Sequence, residues 1–103
     1  MSVRKRKLAL AENAQQDIQS LLLYTREHWG VRQRDRYRAV LDDAFALILG
    51  NPFIGPSRED LGPAIRARVT ERHVIYYRVE GEVIRILRVM HHRIEPQTHH
   101  FGS

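Results

Sequence analysis

Hydrophobic positions in this chain follow two rhythms, with a single change between them. Residues 5–11 come first and read as a short strand, with Leu8 and Leu10 on one face. Asn13 is expected to cap a first helix, and Asp17 lies early in it, where the helix dipole favours an acid. Ala14, Ile18, Leu21, Leu22 and Thr25 then fall at helical spacing, and Gly30 should stop the helix after Trp29. A second helix is predicted over residues 31–50. Its Tyr37, Leu41, Ala44, Phe45 and Ile48 form one apolar stripe, and Arg32, Arg36, Asp42 and Asp43 lie opposite. Only a glycine region separates the two helices, so they should fold back as an antiparallel hairpin.

Gly50, Pro52, Gly55, Pro56, Gly62 and Pro63 then mark residues 50–63 as a loop. After Pro63 the period becomes two. Ile65, Ala67 and Val69 alternate with Arg66, Arg68 and Thr70 in a half-buried strand. Residues 73–79 and 82–90 are β-rich runs joined by Glu80-Gly81, which predicts a tight hairpin. A two-residue turn there pairs Tyr77 with Ile84 and Ile75 with Ile86 on a core face. It sets Val74, Tyr76 and Arg78 against Leu87, Arg85 and Val83 on the other face. The expected fold is α+β, a two-layer β-α-α-β-β-β domain with the helical hairpin on one face of a small antiparallel sheet. Residues 1–95 make one domain, and residues 96–103 read as a polar tail, disordered alone.

Composition limits the chemistry. The chain has 103 residues, one domain's worth, and no cysteine, so disulfides and thiolate metal sites are excluded. No apolar run is long enough for a signal peptide or a membrane span, and a cytoplasmic location is expected. The net charge of +5 gathers at the two ends of the chain. Residues 1–7 hold Arg4, Lys5, Arg6 and Lys7 without an acid, and residues 64–103 hold seven arginines against four glutamates. Such a field draws acidic partners, either nucleic acid or an acidic protein segment.

Several runs resemble toxins of the RelE/ParE superfamily, and ParE most. They are Tyr24…His28-Trp29-Gly30 with Gln33…Arg36-Tyr37, then Asn51-Pro52-Phe53-Ile54-Gly55 followed by Arg58. Arg66 then leads into Arg72-His73-Val74-Ile75-Tyr76-Tyr77-Arg78-Val79, and Ile86-Leu87-Arg88-Val89-Met90-His91-His92-Arg93 closes the pattern. The resemblance covers roughly residues 5–95. It implies a helical hairpin on an antiparallel sheet and a toxin of a type II toxin–antitoxin system. The implied partners are an acidic ParD-like antitoxin with a ribbon-helix-helix domain and, as target, DNA gyrase. DNA would be met only indirectly, through one of these. The toxin activity of such proteins is tied to the C-terminal part.

RelE-type relatives instead cleave messenger RNA on the ribosome, and the residues weigh this alternative. Metal-free RNA cleavage needs a base, an acid and cations for the phosphorane. Arg66 and Arg68 match two basic positions of such sites and share a face. The next expected cation falls near apolar Val74, and no tyrosine follows Tyr77. His91 or His92 would have to replace that tyrosine, with Arg93 stabilising charge. The constellation is incomplete, so a binding-type inhibitor is expected instead of an enzyme. A non-toxic member that only binds its antitoxin is the third reading.

No cofactor is expected, and no metal site, because His91 and His92 would point to opposite faces of a continuing strand. Trp29 and Tyr37 read as packing at the helical corner. The candidate antitoxin- or target-binding residues are Arg66, Arg68, Tyr76, Arg78, Arg85, Arg88, His92 and Arg93. Tyr76, set opposite Arg85, is expected to stack on its guanidinium. The plain alternative for these arginines is a solvated outer face of the sheet.

Overall fold

The computed structural model describes residues 6–102. Arg4 and Lys5 of the basic run, and the expected strand start at residue 5, lie outside the described residues. Strand β1 spans Lys7–Leu10, helix α1 Glu12–Trp29 and helix α2 Val31–Gly50. Strands β2, β3 and β4 span Ile65–Val69, His73–Glu80 and Val83–His91, and a 3-10 turn at Thr98–Phe101 follows.

The helices begin and end for local reasons. Helix α1 starts at Ala11 instead of Asn13, because β1 ends at Leu10 and the extended backbone of Ala11 turns straight into the helix. No side chain caps it; Gln15 Nε2 reaches back to the Leu10 carbonyl at 3.1 Å, and Glu12 meets the helix dipole. Gly30 stops the helix at φ +92°, a backbone that favours glycine, so one residue suffices to turn the chain into α2. The expected corner packing holds for Tyr37, which is buried, and fails for Trp29, which is 60% exposed.

The four strands lie in the order β1-β4-β3-β2. Helices and sheet form the expected two layers, but the sheet is mixed: β1 runs parallel to β4, with Leu8 opposite Ile84 and Leu10 opposite Ile86. Hydrophobic period reveals strands and not their direction, and no hairpin turn constrains β1. The β3–β4 turn is Gly81-Glu82, with Gly81 at φ +61°, one residue later than expected. Tyr77 therefore pairs with Ile86 instead of Ile84. A one-residue shift of the turn moves each partner by two, so both faces survive. A bulge follows at Tyr76/Tyr77, after which Tyr76 lies opposite Arg88 and His73 opposite His91.

Both faces of the sheet carry a core. Ile75, Tyr77, Ile84, Ile86 and Val89 pack beneath Ala14, Leu21, Tyr37, Leu41 and Ile48 of the helices. Each fully buried aliphatic side chain stabilises the fold by about 1.5–3 kcal/mol. The opposite face is not simply the solvated surface that is the plain alternative for the arginines. Ile65, Ala67, Tyr76, Leu87 and Met90 gather there with Leu61 from the loop and Phe101 from the tail. The Phe101 ring meets Tyr76 edge-on at 5.0 Å, so the segment expected to be disordered lies on the sheet.

The loop before β2 is equally tied. The Tyr77 hydroxyl, fully buried, donates to the Pro52 carbonyl at 2.8 Å and accepts from Gly55 N–H at 3.0 Å. Residues 56–58 then run beside β2. Arg58 N–H donates to the Ile65 carbonyl and Ala67 N–H to the Pro56 carbonyl, which covers part of an open strand edge.

Candidate functional site

The candidate arginines of the sheet do not share one surface. In the β2–β3 register Arg66 lies opposite Tyr77 and Arg68 opposite Ile75, so both belong to the helix-side face. Arg78 and Arg85 lie opposite each other on the other face. Most are also engaged. Arg66 donates to the Gly55 carbonyl at 2.7 Å, with its guanidinium 4.9 Å from the Phe53 ring. Arg85 pairs with Glu80 at 3.0 Å, and Arg78 donates to the Pro63 carbonyl at 2.8 Å. Arg88 is held by Asp17 through two hydrogen bonds of 2.7 and 2.9 Å, and Asp17 keeps its guanidinium protonated above the ordinary range. Tyr76 stacks on Phe101 and not on Arg85, because the bulge sets it opposite Arg88 and the tail covers it. Burial raises the pKa of its phenol.

Three of the candidates, Arg68, His92 and Arg93, stay open, and Arg72 lies beside them. Among the described residues, none of them has a carboxylate within ion-pair distance. Arg68, although its register sets it with the helix-side residues, borders with His92 the rim of a cleft of about 490 Å³ that opens toward the other face, beside Arg58, Val74, Tyr76 and Glu95. Arg58 is occupied there by Asp60, with two contacts of 3.0 Å.

A second groove, not expected from the sequence, runs along α1 beside β4. One end, about 350 Å³, is lined by Leu21, Tyr24, Trp29, Arg72, His73 and His91. It continues into about 400 Å³ past Asp17, Val89 and Ile94. Tyr24, Trp29 and Ile94 are each roughly half exposed or more, although all three are large and apolar in body. The histidines meet at the junction. His73 and His91 lie opposite each other across β3 and β4, with rings 5.4 Å apart. Strand β4 ends at His91, so the His91 and His92 rings stack at 4.6 Å instead of pointing to opposite faces. Among the described residues, no group of three His, Asp or Glu side chains gathers closely enough to hold a metal ion.

Hydrogen bonds orient these imidazoles. The Tyr37 hydroxyl accepts the Arg72 N–H at 3.3 Å and lies 2.6 Å from His73 Nδ1. Burial lowers the His73 pKa to about 4, helped by the nearby charges of His91, Arg72 and His92. Burial again, then His92, Arg93 and Arg72, hold His91 below the usual histidine range. Arg72, His73 and Tyr24 were not singled out from the sequence. The signal was the His73–His91 pairing, which the expected register hid by setting His73 opposite Arg88; the turn shift moves its partner to Met90 and the bulge at Tyr76/Tyr77 moves it on to His91.

Residues 8–96 match the family described as the ParE toxin of the type II toxin–antitoxin system parDE. The chain is 32% identical to toxin ParE1 of Mycobacterium tuberculosis over 87 residues, which cover 84% of this chain and 89% of that one. It is 30% identical over 90 residues to toxin ParE1 of Caulobacter vibrioides, covering 87% and 93%. Toxin ParE of Escherichia coli is 29% identical over 92 residues, 86% of this chain and 87% of that one. A solved chain from the chromosomal ParDE toxin–antitoxin system of Pseudomonas aeruginosa (P. aeruginosa) shares the fold. Its TM-score is 0.73 at 19% identity, over 86% of this chain and 98% of that one.

Proposed function

The chain belongs to the ParE family of type II toxins, and we propose that it arrests growth by binding and inhibiting DNA gyrase until an acidic ParD-like antitoxin neutralises it. The role is binding and not catalysis. The match over residues 8–96 carries this reading. Arg68, Arg72 and Arg93, which have no carboxylate within ion-pair distance among the described residues, support it, since arginine offers a planar fork to carboxylates. Contact with DNA is indirect, through gyrase or the antitoxin. The protein acts in the cytoplasm; no helix of the described residues is long and apolar enough to cross a membrane. The working domain includes the 3-10 turn, because Phe101 belongs to the outer core.

Ribosome-dependent RNA cleavage fits these residues less well. Arg66 is turned to the Gly55 carbonyl, while Arg68 and His92 border the outer cleft and His91 the groove along α1. The deciding experiment is a gyrase supercoiling assay with purified protein, with and without a ParD-like antitoxin. Inhibition at near-stoichiometric protein, reversed by the antitoxin, is expected. Undiminished supercoiling together with cuts inside codons of translated messages overturns the proposal.

A further inference from the structure

The groove along α1 has two walls of different chemistry. Leu21, Tyr24 and Trp29 offer an apolar and aromatic wall. Facing them, the Tyr37 hydroxyl accepts from Arg72 N–H at 3.3 Å and lies 2.6 Å from His73 Nδ1; with the hydroxyl proton placed on that nitrogen, the His73 hydrogen is on Nε2. His91 Nδ1 accepts from Arg93 N–H at 3.2 Å, which likewise leaves its hydrogen on Nε2. His73, His91 and Arg72 line this end of the groove, and each carries an N–H with no protein acceptor among the described residues in that arrangement. The carboxylates nearby are already used: Asp17 holds Arg88 and the Val89 N–H, and Glu71 holds Arg36 at 2.8 Å. The guanidinium groups of Arg72 and Arg93 beside the two imidazoles keep this end electropositive.

We propose that this end is a carboxylate pocket, in which His73, His91 and Arg72 donate to one acidic side chain of a partner helix whose apolar neighbours lie on Leu21, Tyr24 and Trp29. The helix is favoured over an added strand. Beyond Leu10 the β4 edge has no strand neighbour, but Asp17 already accepts its Val89 N–H at 2.9 Å, so strand addition there loses a bond it would need. Charge complementarity selects an acid, and the aromatic wall selects apolar flanks. The inference rests on the antitoxin reading above and names the chemistry by which that partner is held.

The test uses the full chain, its imidazoles labelled with ¹⁵N, and a synthetic helical peptide of about four turns. The peptide carries one Glu flanked by leucines one turn away on either side; a second peptide carries Gln in place of that Glu. The Glu peptide is expected to shift the His73 and His91 resonances and to bind about tenfold tighter than the Gln peptide. Arg72→Gln and His91→Phe should each abolish that preference. Arg72 is exposed and its guanidinium has no hydrogen-bonding partner among the described residues, so its loss leaves the fold intact. Equal binding of the two peptides overturns the pocket. So does an oligothymidine that moves the same imidazoles while the Glu peptide does not. Neither result touches gyrase inhibition, which the supercoiling assay measures separately.

Discussion

Asp17 and Arg88 join helix α1 to strand β4 through a two-point hydrogen-bonded ion pair, with both side chains largely shielded from water. The same carboxylate accepts the Val89 N–H, and Arg88 also donates to the His100 carbonyl at 3.0 Å. Helix, strand edge and tail thus meet at one pair. Asp17→Ala leaves a shielded guanidinium without its counter-charge and a strand N–H without a partner, and should cost about 3 kcal/mol in a urea titration. Arg88→Lys, which cannot reproduce the fork, should recover only part of that. A loss of a few tenths would show the pair to be as weak as an ordinary surface contact.

His73 makes stability depend on pH in a definite window. The unfolded imidazole takes its proton near 6.5, and the folded one only at about 4. Between these values the unfolded chain binds more protons, so falling pH favours unfolding. This part of the stability is complete above about pH 6.5 and lost progressively toward 4, by about 2 kcal/mol after allowance for partial exposure of the ring. Groups facing the ring include Asp17, Tyr37, Arg72, His91 and His92. Urea midpoints at pH 7.5, 6 and 5 should fall for the natural chain and fall less for His73→Gln. Parallel curves for the two would remove His73 as the source.

The tail contributes to the fold. Ending the chain after Gln97 removes Phe101 from Tyr76 and the His100 carbonyl from Arg88. The truncated protein should still fold but lose about 1–2 kcal/mol, a drop in Tm of roughly 5–15 °C for a domain this small. An unchanged Tm would mean that the turn rests on the sheet without holding it.

Two glycines offer a paired test. A Cβ at Gly55 would stand 2.6 Å from the Ala67 carbonyl oxygen and 2.8 Å from the Tyr77 hydroxyl, whereas one at Gly50 meets nothing within 4 Å. Gly55→Ala should cost about 2–3 kcal/mol because backbone has to move. Gly50→Ala, at the end of α2, should be neutral or gain up to about 1 kcal/mol. Equal thermal shifts in the two variants would contradict the close approach.

Much of the architecture was legible because periodicity reports burial. The stripe Tyr37, Leu41, Ile48 and the alternation around Ile84 and Ile86 identify faces directly. The direction of β1 was not legible, since Leu8 and Leu10 alternate alike in either orientation. Nor was the second core, because Ile65, Tyr76 and Leu87 read as one face of a strand whatever covers them, and what covers them is a loop residue and Phe101 from distant sequence. The candidate arginines were chosen by type and place on strands. Their availability depends on partners such as Asp17 and Glu80, and no spacing rule brings Asp17 to Arg88. The histidine junction was hidden by a turn one residue out and by a bulge at Tyr76/Tyr77 that no alternation reveals.

Placing β1 beside β4 also sets the timing of folding. Leu8 has to wait for Ile84, and Asp17 for Arg88, so neither contact forms until the chain has been synthesised through β4. Loop closure over that span is slow compared with the helical hairpin, which forms from neighbours. A nascent chain on the ribosome thus holds finished helices over an unfinished sheet. The groove beside β4 is complete only once His91 and Ile94 have been made, long after helix α1, which forms its other wall.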